Sequence, residues 1–260
     1  MTAAQKSVGD HLREWRRRRR LSQLDLALDA EISTRHLSFL ETGRAQPSRE
    51  MVIRLAEQLE VPLRERNVIL VAAGFAPVFF ERAIDDPALA AARRAIDLIL
   101  KGHEPYPALV IDLRWNLVAA NGALGPLLEG VAPELLEAPV NVMRVTLHPK
   151  GLAPRIANFA EWRGHLIERL RRQLELTADP GLAALFEEVN GYPVPPAPDR
   201  RPEDFGGVAA PLQLLIGDRL LSFLSTVTVF GAAVDITLSE LSLETFFPAD
   251  AATAEALRIG

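Results

Sequence analysis

Apolar residues return every three to four positions through the first 74 residues, and polar ones fill the gaps between them. Val8, Leu12 and Trp15 share one face and predict a first helix. Ser22 stands where an N-cap is wanted ahead of a second helix over 23–30, and Ser33 opens a third over 34–42 that Gly43 stops. A fourth follows Pro47 and Ser48 with Val52, Leu55, Ala56 and Leu59 on one face, and a fifth starts near Pro62 and ends before Gly74. Short helices joined by tight turns predict one small all-α domain over residues 1–74.

Residues 75–87 contain Pro77 and Pro87, carry no sustained period and read as a linker. A second domain is expected over 88–260. Its first helix, 88–101, reads as a connector and, with the linker, as the only covalent route between the domains. Two apolar strands within 107–121 follow, separated by the turn-like stretch 112–116, then a helix holding Leu124, Leu127 and Leu128. Helices over 154–176 and 180–190 come next, and five prolines between 193 and 202 demand extended, exposed backbone. Beyond them the period changes from 3.6 to 2. Residues 212–216 and 219–230 flank Gly217-Asp218, a good turn for a hairpin. A last strand is expected over 234–247, where the apolar phase shifts between Leu238 and Leu241 and predicts a bulge at Ser239 or Glu240. A final helix, 250–258, completes an α+β domain: a five-stranded antiparallel sheet with helices over one face.

Charge divides these domains. The chain carries a net −5 overall, yet residues 1–74 hold 13 Lys and Arg against 10 Asp and Glu. The unbroken run Arg16 to Arg20 concentrates the positive end further. Such asymmetry suits one part that meets a polyanion and another that does not, although an arginine run can equally be a solvated helix face. Zero Cys removes disulfides, thiolate catalysis and cysteine-ligated metal. No apolar run reaches membrane-spanning length and residues 1–10 lack a secretory pattern, so a cytoplasmic protein is expected.

Residues 23–42 have the pattern of a helix-turn-helix: Leu26, Ala27, Ala30, Ile32, Leu37 and Leu40 fall on its buried positions, and the small Ala27 lets two helices cross closely. The string Leu-Ser-Gln-Leu-Asp-Leu-Ala, then Ile-Ser-Thr-Arg-His-Leu-Ser-Phe-Leu-Glu-Thr-Gly-Arg, resembles the XRE, phage-repressor-like family. The resemblance implies a five-helix lambda-repressor-like domain that binds double-stranded DNA. Glu31 departs from the glycine often found at the turn; a left-handed non-glycine residue there costs roughly 1–2 kcal/mol. By the geometry of such motifs the third helix enters the major groove, so Thr34, Arg35 and Ser38 are candidates for base edges, Arg35 with a bidentate fork for guanine. The resemblance gives Gln23 a phosphate contact; Ser33 and Arg44 are further backbone candidates, and Arg13, Arg17 and Arg20 add steering. His36 and Phe39 read as packing or surface residues. The resemblance also implies an ion pair between Arg16 and Glu41.

Residues 108–125 resemble the opening of a PAS domain. The stretch 86–258 resembles the MmyB-like ligand-binding domain, on Asn141-Val-Met-Arg144, Leu147-His148-Pro149, Trp162 and the segment 235–240. The resemblance implies a PAS-like pocket for a small, largely apolar ligand, with a fatty acid as the first candidate. Arg144 and His148, placed in a loop ahead of a helix, could meet a carboxylate, and Trp162 could line the wall; a surface ion pair and plain core packing are the competing readings. A dimerisation module with a filled core is the alternative for the whole domain. An enzyme has little support: Glu161 and His165 stand one helical turn apart without a third metal ligand, and no G-x-S-x-G elbow or phosphate loop occurs. No catalytic residue, cofactor or metal is expected, and a homodimer is, because one such motif reads only a few base pairs.

Overall fold

The structure is a computed structural model and describes residues 6–196 and 210–259. Of the extended segment expected at 193–202, residues 197–202 lie outside the described residues. The structure divides into two units: Met1–Arg82 with Glu175–Thr177 and Ala233–Ser239, and Ala83–Leu174 with Ala178–Ala232 and Glu240–Gly260. The backbone therefore passes between units at several places, a correction to the single route expected from sequence.

In the first unit, α1 (Val8–Arg18), α2 (Gln23–Asp29), α3 (Thr34–Glu41), α4 (Arg49–Gln58) and α5 (Leu63–Ala72) follow one another. Serine starts four of them. Ser7 and Ser22 form capping boxes with Asp10 and Asp25, while Ser33 accepts from the His36 N–H and Ser48 from the Met51 N–H. The turn between α2 and α3 passes through Glu31 at φ +55°, the left-handed residue that its place in the motif demands. Leu26, Ala27, Ala30, Leu37 and Leu40 are buried with Leu12, Leu55 and Leu70 in one core. Gly9 lets α1 lie against α3: a Cβ there would stand 2.5 Å from the Leu40 carbonyl oxygen.

In the second unit, α6 (Ala90–His103) precedes β1 (Ala108–Ile111) and β2 (Leu117–Ala120). Next come α7 (Val142–Leu147), α8 (Phe159–Thr177), α9 (Pro180–Asn190), β3 (Leu212–Ile216) and β4 (Arg219–Val229). The short α10 (Ile236–Ser239), which falls within the first unit, precedes β5 (Ser242–Pro248) and α11 (Ala251–Ile259), which close the order. The sheet is five-stranded, antiparallel throughout, in the order β2-β1-β5-β4-β3. The β3–β4 hairpin turns on Gly217 and Asp218, with Ile216 opposite Arg219 and Gly217 at φ +56°.

Three sequence expectations need correction. The helix around Leu124 is a 3-10 run, Gly122–Leu128, because Pro126 and its glycines oppose an α-helix. The helix expected over 154–176 begins at Phe159, after a 3-10 turn at Ala153–Arg155. The strand expected over 234–247 starts at Ser242; before it Asp235 accepts from the Thr237 N–H at 3.0 Å and opens α10, so the phase shift is a helical turn, not a bulge. The register irregularity lies instead between Val110 and Ile111.

Candidate functional site

Helix α3 carries the first site. Arg35 is exposed at its start, Thr34 and Ser38 are half-buried, and Arg44 lies exposed just beyond its end. Both guanidinium groups stand over the Phe39 ring, Arg35 at 5.3 Å and Arg44 at 6.0 Å from its centroid, so one aromatic side chain gathers two cations. The Ser33 oxygen caps the helix and its hydroxyl proton remains available to a phosphate.

Behind this face Glu41 is buried at 2% exposure. It receives Arg16 Nε at 2.6 Å, Arg16 Nη2 at 2.9 Å and Gln23 Nε2 at 2.7 Å. Burial alone would raise the Glu41 carboxyl, but the hydrogen bonds from Arg16 and Gln23 and the charges of Arg16 and Arg13 outweigh it and hold the group below its ordinary value. The Arg16–Glu41 pair implied by the resemblance is thus present. Arg13 donates to the Glu41 carbonyl, and Gln23 gives one amide hydrogen to the same residue, so both reach α3 from within the fold. The basic run divides in two. Arg16 and Arg19 are tied down, Arg19 donating to the Leu59 and Glu60 carbonyls at 2.8 Å, whereas Arg17 and Arg20 are exposed.

The second site is an apolar cavity of about 70 Å³ between the sheet and the elements covering one of its faces. Leu109, Phe223 and Phe246 line it from the sheet, Met143 from α7 and Trp162 from α8. Trp115 closes it from the β1–β2 turn at φ +66°, a strained setting for a bulky residue, held by Nε1–H donation to Gln173 Oε1 at 2.8 Å. Among the described residues of the lining, Thr146, Glu244 and the two tryptophan indoles carry the polar side-chain atoms. Glu244, 3% exposed, pairs with Arg169 at 3.2 Å, and that guanidinium lies 4.5 Å over the Trp115 ring. Trp162, 2% exposed, has its Nε1–H buried with no hydrogen-bond partner.

Of the ligand residues expected from sequence, the structure brings Trp162 to the cavity and places Arg144 and His148 elsewhere. Arg144 lies on α7, not in a loop, and donates to both Glu188 oxygens at 2.8 and 2.7 Å. His148 caps α7 and packs edge-on against Tyr192, whose hydroxyl is pushed up to about 12 by burial and by Glu188. Glu161 accepts from Asn158 and His165 stacks on Trp162; among the described residues no group of three metal-ligating side chains occurs. Sequence reading missed Glu244, although a lone acid inside the apolar strand 242–248 was its visible signal.

No helix among the described residues is long and apolar enough to cross a membrane. No curated protein matches the chain. A structure of the clp gene regulator ClgR from C. glutamicum is 24% identical, with 28% of this chain and 92% of that one covered at a TM-score of 0.24. An RNA-binding Light-Oxygen-Voltage receptor is 14% identical, with 98% of this chain and 63% of that one covered at a TM-score of 0.27. A helix-turn-helix family model matches residues 12–66. The model of the MmyB-like transcription regulator ligand binding domain matches residues 92–259, well over half of the chain. The chain belongs to the MmyB-like transcription regulators, with an XRE-type helix-turn-helix followed by a ligand-binding domain.

Proposed function

We propose that the protein is a homodimeric, sequence-specific DNA-binding regulator of the cytoplasm, with a reader over 1–74, a linker over 75–87 and a non-catalytic sensor over 88–260. The reader uses Thr34, Arg35 and Ser38 on bases, Gln23, Ser33 and Arg44 on phosphates, and Arg13, Arg17 and Arg20 for steering. The sensor takes a small, largely apolar ligand, a fatty acid being one candidate class. Arg35 and Arg44 arrayed on Phe39 support the first half of this reading, and the apolar cavity supports the second.

Footprinting on selected duplexes tests the reader: two protected half-sites about 10 base pairs apart, or a multiple, are expected. Arg35→Ala should relax preference at one base position at a cost of about 1–3 kcal/mol, and Arg17→Ala should weaken all sequences alike. Unpaired protection would remove the dimer, and uniform losses from both variants would remove the assigned base reader.

A further inference from the structure

The β4–β5 ladder ends with Val229 opposite Ser242, which leaves 230–241 as the connection between the two strands. Both strands belong to the second unit, yet residues 233–239 of that connection belong to the first. Neither the DNA-reading face nor the cavity gives this stretch a task.

Asp235 holds it there. Its side chain is 5% exposed and both carboxylate oxygens are used. Oδ1 accepts from the Thr237 N–H at 3.0 Å and so opens α10, while Oδ2 accepts from Arg82 Nη1 at 2.7 Å. Beside this pair the Ile236 N–H donates to the Phe80 carbonyl at 2.8 Å, the Thr237 hydroxyl donates to the Arg82 carbonyl, and the Ile236 side chain is buried. One residue therefore both folds the helix and docks it. A helix as short as Ile236–Ser239 has no stability of its own, because a single turn does not repay the entropy of ordering it. Docked helix and free loop are thus the two states open to the connection.

On the reader's side the attachment is firm. Asn67 of α5 accepts from the Val78 and Phe79 N–H groups and donates to the Phe79 carbonyl, and Arg64 pairs with both oxygens of Glu81. Leu12 of α1 and Leu70 of α5 share one core, and Arg16 of α1 holds Glu41 at the end of α3. Packed and hydrogen-bonded steps thus run from the proposed base-reading helix to Arg82, where the chain first leaves its unit. On the sensor's side, β4 and β5 carry Phe223, Glu244 and Phe246, which line the cavity.

We propose that Arg82 and Asp235 form a latch: with α10 docked, the state of the DNA-binding helices reaches β4 and β5 through the connection 230–241, and the state of the strands returns the same way. This inference rests on the DNA-binding reading above and adds the route that couples it to the sheet.

The test is hydrogen exchange on the full chain, with and without saturating operator duplex, in the wild type, Asp235→Asn and Thr237→Val. It needs no ligand. Operator should slow the amides of 34–41 in all three proteins, which reports DNA binding itself. In the wild type it should also change exchange over 236–239 and 242–248 by about fivefold or more, the lower end of ordinary coupling. Asp235→Asn keeps a cap for α10 and removes the charge that holds Arg82, so the change over 242–248 should fall below about twofold. Thr237→Val removes only the hydroxyl given to the Arg82 carbonyl and should leave an intermediate change; it carries the test if Asp235→Asn does not fold. A pair that is merely structural would lower the melting temperature of the variants and leave the operator-linked change over 242–248 intact. That result would overturn the latch, as would wild-type strands that do not respond while 34–41 does, and in both cases the DNA-binding reading stands. Absence of any operator effect on 34–41 would overturn that reading and this inference with it.

Discussion

Glu41 shows how one side chain can hold a reading helix in place. Its carboxylate gathers Arg16 and Gln23 from α1 and α2 at the end of α3, with Arg13 3.7 Å away. Because its folded pKa is depressed, its contribution is present above the ordinary glutamate value of about 4.3 and is lost as pH falls through the folded value. Acidification below about pH 4 should therefore loosen α1 against α3. Hydrogen exchange on the full chain checks this: protection of α1 and α3 amides should drop with acid in the wild type. In Glu41→Gln it should start lower, by about 3 kcal/mol, and change less with pH. This pair and the left-handed Glu31 were legible because a motif fixes both positions. Arg144 was misread for a local reason. In a helix as short as Val142–Leu147 no periodicity announces which residues face inward, and Met143 and Val145 line the cavity while Arg144 reaches Glu188.

Helices α1 to α4 were legible as elements because each begins with a serine cap ahead of apolar residues at helical spacing, and α5 because it follows Pro62. Their closeness was not, since it depends on a residue with no side chain to read. Gly9→Ala should raise helix propensity by about 1 kcal/mol in isolation. In the fold the new Cβ would meet the Leu40 and Glu41 carbonyl oxygens at 2.5 and 2.8 Å, contacts that backbone cannot relieve cheaply. Net destabilisation of about 1–3 kcal/mol is expected, with a lowered melting temperature as the readout. An unchanged or raised melting temperature would show that α1 has room to retreat. In the second unit the hairpin at Gly217-Asp218 was legible from its turn, whereas α10, which falls within the first unit, was not. Four residues opened by an Asp235 cap leave only a phase shift in the sequence, and a bulge would leave the same trace.

At the scale of the molecule, the proposed regulator needs the ligand to prefer one DNA-binding state over another. Coupling of this kind amounts to about 1–3 kcal/mol and is reciprocal, so operator DNA must change ligand affinity by the factor by which ligand changes DNA affinity. Titration of a medium-chain fatty acid such as decanoate into the protein with and without operator should give dissociation constants that differ by roughly 5–150-fold. Equal constants would leave the ligand as a stabiliser of its own domain, because a molecule that binds both states alike shifts neither.

The strand order also sets a timetable for synthesis. β5 lies between β1 and β4, yet the ribosome makes it after the other four strands. Until residues 242–248 have emerged, β1–β2 and β3–β4 are two separate hairpins with open edges, and neither can complete the sheet that backs the cavity. The five helices at the other end of the chain need nothing from that strand, and local contacts of their sort form fast. A nascent chain can thus hold its five N-terminal helices folded while the sheet of the ligand-binding domain is still two unjoined halves.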